Sequence, residues 1–349
     1  MAFMMPTIMM IMNGLSLAIY WIGAVLINDA QDMQGKFTLF SDMVVFSSYA
    51  MQVVMSFMML VMIFIMLPRA SVAAKRILEV LDTEPSIEDG TRDTFPVMKD
   101  GEVEFKDVSF KYPDAEEYVL EHISFSAKKG ETIAFIGATG CGKSTAINLI
   151  PRFYDATEGE VFVDGVNVKE YTQEALHNKI GYVSQKAILF SGTIADNVAY
   201  GENGKAPATQ DDIAMAVKVA QASEFVEKKD QGYDGYVAQG GSNFSGGQKQ
   251  RLSIARAIAR QPEILIFDDS FSALDYKTDR ILREALRKEC KDATKIIVAQ
   301  RIGTIRDADK IIVLDDGQIA GMGTHDELMK NCEVYQEIAY SQLSKEELA

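Results

Sequence analysis

The first 67 residues hold only four charged side chains, Asp29, Asp32, Lys36 and Asp42, and no other feature restricts the fold as much. Residues 2–27 carry no charge at all. At ~1.5 Å rise per residue, that run is long enough to cross a hydrocarbon core of ~30 Å with some tilt. A second uncharged run covers residues 43–67. Two transmembrane helices are therefore expected, at about 2–27 and 43–67. A secretory signal peptide does not fit the first run. No basic region precedes it, it is too long, and no A-x-A-like site follows. Ser47, Ser48, Gln52 and Ser56 punctuate the second run at near-helical spacing. That pattern suits a face turned toward protein or a polar cavity, and equally suits single polar residues satisfied by neighbouring helices. Fourteen of the 18 methionines fall in these 67 residues, which sets them apart from an ordinary soluble domain.

The residues between the two runs, 28–42, hold three acids and one lysine and are expected to form a short loop. Arg69, Lys75 and Arg76 follow the second run. The positive-inside rule puts that basic side in the cytoplasm and the acidic loop outside. Pro68 lies at the edge of the span, and residues 71–81 read as a continued amphipathic helix. Two helices alone leave polar faces without partners, and the chain opens inside an apolar run. An N-terminally incomplete chain is the expectation.

The rest of the chain has soluble character. The net charge is −15, from 35 Lys+Arg against 50 Asp+Glu, which excludes a nucleic-acid groove as the main role. Cys141, Cys290 and Cys332 are scattered and form no C-x-x-C. They read as reduced thiols, with neither a disulfide framework nor a zinc knuckle. Residues 82–100 are acidic, contain Pro85, Gly90 and Pro96, and read as a linker between a partial membrane domain (1–81) and a soluble domain (101–349). Beyond Gly101, β-like runs at 103–105, 123–127, 132–136, 161–163, 264–267, 296–299 and 311–314 alternate with helical segments at 143–150, 213–229, 246–260 and 278–289. Alternation of this kind predicts an α/β domain with a largely parallel sheet.

Two motifs carry chemistry. Gly137-Ala138-Thr139-Gly140-Cys141-Gly142-Lys143-Ser144-Thr145 matches G-x-x-x-x-G-K-[ST] between an expected strand and helix. Its glycines let backbone N–H groups curl toward phosphate oxygens, and the helix N-terminus adds its dipole. Lys143 is expected to reach the β- and γ-phosphates, and the Ser144 hydroxyl to ligate Mg²⁺. Cys141 reads as a space-filler whose accessibility could expose the loop to thiol reagents. The second motif, Ile264-Leu-Ile-Phe-Asp268, is an apolar strand ending in a carboxylate, the form of a Walker B element that holds Mg²⁺. In addition, Phe244-Ser245-Gly246-Gly247-Gln248 precedes a helix with Lys249, Arg251 and Arg256, and suits a second anion-binding nest.

The string from Asn243 to Ser253 (Asn-Phe-Ser-Gly-Gly-Gln-Lys-Gln-Arg-Leu-Ser), followed by Ile-Leu-Ile-Phe-Asp-Asp, resembles the signature of ATP-binding cassette (ABC) proteins. The resemblance covers the whole chain, since the two helices look like the last two of six in an ABC exporter half. It implies the fold class: two transmembrane helices plus an α/β P-loop NTPase, here an ABC nucleotide-binding domain with a helical subdomain. It also implies that Tyr112, in Phe-Lys-Tyr-Pro, stacks on adenine, and that Gln185, in Tyr-Val-Ser-Gln, links Mg²⁺ to the transmembrane domain. Asp275, in Ser-Ala-Leu-Asp, matches the D-loop. ATP and Mg²⁺ are the implied cofactors. Two cassettes would meet head to tail, each ATP lying between one P-loop and the other chain's Ser-Gly-Gly-Gln.

Two positions depart from that pattern. Asp269 stands where efficient family members have Glu, and Gln300, in Val-Ala-Gln-Arg, where they have the switch His. Asp is shorter by one C–C bond, ~1.5 Å, and a misplacement near 1 Å can cost roughly 10²-fold in rate. Gln keeps a hydrogen-bonding group but cannot become cationic. Together these changes resemble the degenerate subunit of heterodimeric bacterial exporters. The expected protein is thus an ATP-binding/permease subunit in the cell membrane, multi-pass, with its nucleotide-binding domain in the cytoplasm. Its expected partner is a second half-transporter, a heterodimer being favoured over a homodimer. The exported substrate stays open among drugs, lipids and peptides. The rival reading is a truncated, non-transporting ATP-binding subunit that regulates a partner. A soluble ABC ATPase of DNA repair or translation is excluded by the two charge-free helices.

Overall fold

The computed structural model describes residues 4–93 and 100–342. The chain divides into two compact units, Met1–Ser86 and Ile87–Ala349.

The first unit is a helical pair, α1 (Met4–Asp29) and α2 (Met33–Leu81). Both helices are long and apolar enough to cross a membrane. Their side chains point outward: Trp21 and Phe64 are 73% and 69% exposed. Apolar surface on that scale calls for lipid or protein cover. The helices meet where Gly23 faces Met43. A Cβ on Gly23 would sit 2.7 Å from Met43 Cγ, so a larger residue there would push the Met43 side chain aside.

The loop expected at 28–42 is not there. The connection shortens to residues 30–32, and α2 starts ten residues before the second uncharged run. Asp32 is the reason: its carboxylate caps the helix, accepting the Gly35 N–H at 2.9 Å. Lys36 and Asp42 then ride on the helix, because charge does not oppose helical backbone geometry. At its other end α2 continues through Pro68 to Leu81, 49 residues in all, as the amphipathic pattern of 71–81 predicts. Ser56 donates to Gln52 O at 2.9 Å, so this polar side chain is satisfied within its own helix.

The second unit opens with chain that is already pinned: Gly90 N–H donates to Tyr171 O at 3.1 Å and Arg92 N–H to Glu170 O at 3.2 Å. Pro96 lies outside the described residues. The elements that follow are β1 (Val103–Phe110), β2 (Leu120–Ala127), β3 (Thr132–Ile136), α3 (Lys143–Asn148), β4 (Glu158–Val163), β5 (Val166–Asn167), α4 (Gln173–Lys179) and β6 (Ile180–Val183). Next come β7 (Gly192–Thr193), α5 (Ile194–Val198), α6 (Gln210–Val219), α7 (Ser223–Glu227), β8 (Tyr236–Val237), α8 (Gly246–Ala259), β9 (Ile264–Asp268) and α9 (Tyr276–Glu289). The series ends with β10 (Thr294–Val298), α10 (Ile302–Ile305), β11 (Lys310–Asp315), β12 (Gln318–Gly323), α11 (His325–Asn331) and α12 (Glu333–Gln342).

The expected parallel sheet is present. Its order is β12-β11-β3-β10-β9-β6, with every neighbouring pair parallel except the edge pair β11–β12. β9 is buried along its whole length, which is why its sequence reads as an unbroken apolar run. A second sheet, β2-β1-β4-β5, is antiparallel throughout. It shares a core with the parallel sheet through Phe125, whose ring meets Phe135 at 5.4 Å. The helical run expected at 213–229 breaks into α6 and α7. Gln221 turns left-handed there, φ +56°, and its carbonyl accepts Arg251 Nη1 at 2.7 Å. α8 starts where expected, because Ser245 and Gln248 form a reciprocal capping box.

Candidate nucleotide-binding site

The glycine loop joins the end of β3 to α3. Gly140 and Gly142 hold φ of +89° and +94°, and a Cβ on Gly142 would lie 2.7 Å from Leu120 Cδ2 and 2.9 Å from Val119 O. Glycine is thus required twice over at 142, by conformation and by space. Ala138 and Thr139 span the loop's tip. Lys143 is buried at 8% exposure, and its Nζ donates to Gly137 O at 2.9 Å and Ala138 O at 2.6 Å. An incoming polyphosphate can replace these neutral carbonyl contacts with stronger charge-assisted ones. Cys141 is buried, its Sγ 3.6 Å from Lys143 Nζ. This corrects the expectation that its thiol is accessible: it fills the space under the loop.

Ser144 donates to Asp268 Oδ1 at 2.6 Å, which joins the P-loop to the end of β9. A hydroxyl and a carboxylate side by side are hard oxygen donors and fit Mg²⁺ shared with phosphate oxygens. No group of three His, Cys, Asp or Glu suited to a metal occurs among the described residues. The Tyr182 hydroxyl lies 2.9 Å from Asn148 Oδ1 and 3.3 Å from Asp268 Oδ2, and so fixes the far side of this carboxylate. Burial, followed by the charge of Asp268, pushes the Tyr182 phenol well above its usual range.

Asp269, Gln185 and Gln300 converge. Asp269 is buried with φ +44°, and its N–H donates to Val298 O at 3.1 Å. Its Oδ2 accepts Gln300 Nε2 at 2.9 Å and Gln185 Nε2 at 3.3 Å. Burial raises its pKa, opposed by hydrogen bonds that involve Ser272 and Gln185. Both amides bond the same oxygen of this short carboxylate and so fix its orientation. Gln185 is thus placed on Asp269.

Tyr112 lies past the end of β1, its hydroxyl 3.1 Å from Thr145 Oγ1. Asp275 caps α9, accepting the Thr278 N–H at 3.0 Å; hydrogen bonding from the Thr278 side chain, and then from this N–H, lowers its pKa. Ser245, Gly246, Gly247 and Gln248 open α8. Among the described residues they make no hydrogen bond to the P-loop, Asp268 or Asp269. Gly246 has open space where a Cβ would stand, while Gly247 would meet Ala273 O at 3.1 Å. The cations of α8 are committed elsewhere. Lys249 donates to Gly240 O at 2.9 Å, Arg251 to Gln221 O at 2.7 Å and Arg256 to Asn197 O at 2.7 Å. Sequence reasoning assigned no role to Tyr182 or Asn148. Tyr182 lay within the quoted Tyr-Val-Ser-Gln string, and only its pairing with Asp268 gives it one.

A glycine loop at the tip of a central parallel strand, beside an antiparallel sheet and a group of short helices, is the architecture of an ABC nucleotide-binding domain. Residues 120–272 match the ABC transporter family. An uncharacterized ABC transporter ATP-binding protein of Mycobacterium bovis is 44% identical over 342 residues, which cover 98% of this chain and 57% of that protein. The ATP-dependent lipid A-core flippase of Haemophilus influenzae is 42% identical over 276 residues, covering 79% of this chain and 46% of the flippase. A solved bacterial Atm1-family ABC exporter with ATP bound superimposes with a TM-score of 0.78 at 32% identity, covering 96% of this chain and 58% of that one. The chain thus carries two N-terminal apolar helices and an ABC transporter ATP-binding domain with homology to ABC exporters. It spans about half the length of the relatives it matches.

Proposed function

We propose that the chain is the ATP-binding/permease part of an ABC exporter half-transporter, and that its own ATP site is degenerate. Residues 1–81 form the partial membrane domain, 82–100 the linker and 101–349 the cassette. ATP with Mg²⁺ binds at Gly137–Thr145, with Tyr112 on the adenine and Asp268 and Ser144 on the metal. A second half-transporter carrying Glu and His supplies the working catalytic pair and forms a heterodimer in the cell membrane. Closure of the two cassettes drives export. The substrate class remains open, and the flippase among the relatives makes a lipid the first to test.

The observation that supports degeneracy is the carboxylate of Asp269, short by one methylene and held by two amides. Efficient hydrolysis needs a carboxylate placed against the attacking water, and a shorter side chain with a fixed orientation reaches it less well. After incubation of the full chain with Mg-ATP in nanodiscs, the nucleotide it retains should be mainly ATP. Recovery of mainly ADP would sink the degenerate reading.

The orientation has its own test. A cysteine placed at Lys36 should be labelled by an impermeant reagent from outside intact cells, and one at Lys75 should not. The native thiols Cys141, Cys290 and Cys332 would lie on the cytoplasmic side and stay unlabelled. The reverse pattern would contradict a cytoplasmic cassette.

A further inference from the structure

We propose that Tyr154 is a positioning residue for the nucleotide base: it fixes the ring of Tyr112 on which adenine stacks. The proposal rests on the nucleotide reading above and deepens it. Tyr112 stands one residue beyond Lys111, past the end of β1, where strand pairing no longer holds a side chain in place. Its ring is instead held at three points. It meets Phe110 at 5.0 Å with an interplanar angle of 81°, and Tyr154 at 5.2 Å and 90°. Its hydroxyl reaches Thr145 in the first turn of α3. Phe110 and Tyr154 also touch, 5.6 Å apart, which closes the triangle. T-shaped pairs are a favoured aromatic geometry, so each contact restrains the ring rather than merely filling space.

The backbone around Tyr154 is built to present it. Arg152 takes a left-handed conformation, φ +56°, and its guanidinium is buried. It grips Asp155 through two bonds, Nε to Oδ1 at 2.8 Å and Nη2 to Oδ2 at 3.2 Å. The two residues inside that clamp, Phe153 and Tyr154, are 44% and 37% exposed. Large rings left at the surface beside a buried guanidinium do little for the core. They do suit a preorganised platform, because a base that stacks on a ring already fixed costs less ordering.

The test separates base from phosphate. The full chain in nanodiscs is titrated calorimetrically with Mg-ATP and, separately, with inorganic tripolyphosphate and Mg²⁺. Tyr154→Ala should raise the Kd for ATP about three- to tenfold, the scale of one aromatic contact, and leave that for tripolyphosphate unchanged. Tyr154→Leu, which keeps bulk without a ring, should behave like the alanine variant. Tyr154→Phe should restore ATP binding, since the phenol oxygen is not used. Unchanged ATP affinity in Tyr154→Ala, or equal weakening for both ligands, would overturn the proposal. A wild-type chain that binds neither ligand would remove the nucleotide reading itself, and this one with it.

Discussion

Lys143→Ala is expected to raise the Kd for Mg-ATP by at least ~100-fold, from two lost charge-assisted hydrogen bonds at ~1.5–3 kcal/mol each. The structure gives the reason for so large an effect. The ammonium is buried and already held against the loop, 2.9 Å from Gly137 O and 2.6 Å from Ala138 O. A phosphate therefore finds the charge in place instead of recruiting a mobile side chain. Equilibrium titration of the full chain measures the loss. Thermal unfolding without nucleotide separates it from collapse of the loop. Wild-type affinity in the variant would mean that the glycine loop does not hold the phosphates.

The second large effect belongs to the signature. In a mixture with a partner that carries Glu and His, Ser245→Arg should lower steady-state ATPase by ~100-fold or more, since misplacing a phosphate by ~1 Å already costs about that much. Asp269→Asn should cost far less, because this carboxylate serves the weak site. The geometry motivates the contrast. Ser245 and Gly246 lie at an open helix start, with no hydrogen bond to this chain's own P-loop among the described residues. Asp269 is buried and held by Gln185 and Gln300. Equal and complete loss in both variants would make Asp269 the operative base and favour a homodimer. Loss confined to Ser245→Arg would favour the asymmetric pair.

Much of this site is legible in the sequence because its demands are local. Gly142 must be glycine for its own φ, and Ile264–Asp268 reads as a strand because it is buried from end to end. The helix start at Ser245 follows from a side chain that caps its own backbone, while α9 starts two residues ahead of the expected 278 because Asp275 caps it. Contacts between distant segments do not show in this way. Asp269 meets Gln300 because β9 and β10 run parallel with Asp268 opposite Val298, which brings the residues after each strand together. Tyr182 finds Asp268 across 86 residues for the same reason, β6 lying parallel to β9. The antiparallel sheet went unread because β1 and β4 are interrupted by irregular register, which blurs their alternation. The charges of residues 28–42 suggest a loop, yet most of the stretch is helical. Charge reports a preference for water, and a helix that leaves the apolar zone satisfies that preference without unwinding.

At ~1.5 Å per residue, the 49 residues of α2 make a rod of about 74 Å. A rod has no slack, and a tilt of 10° about one end carries the other end through about 13 Å. Pro68 is the proline inside this rod, and it removes one rung from the hydrogen-bond ladder. Any flexing is therefore concentrated at a known point nearly three-quarters of the way along, beyond the longer arm from Met33 to Leu67.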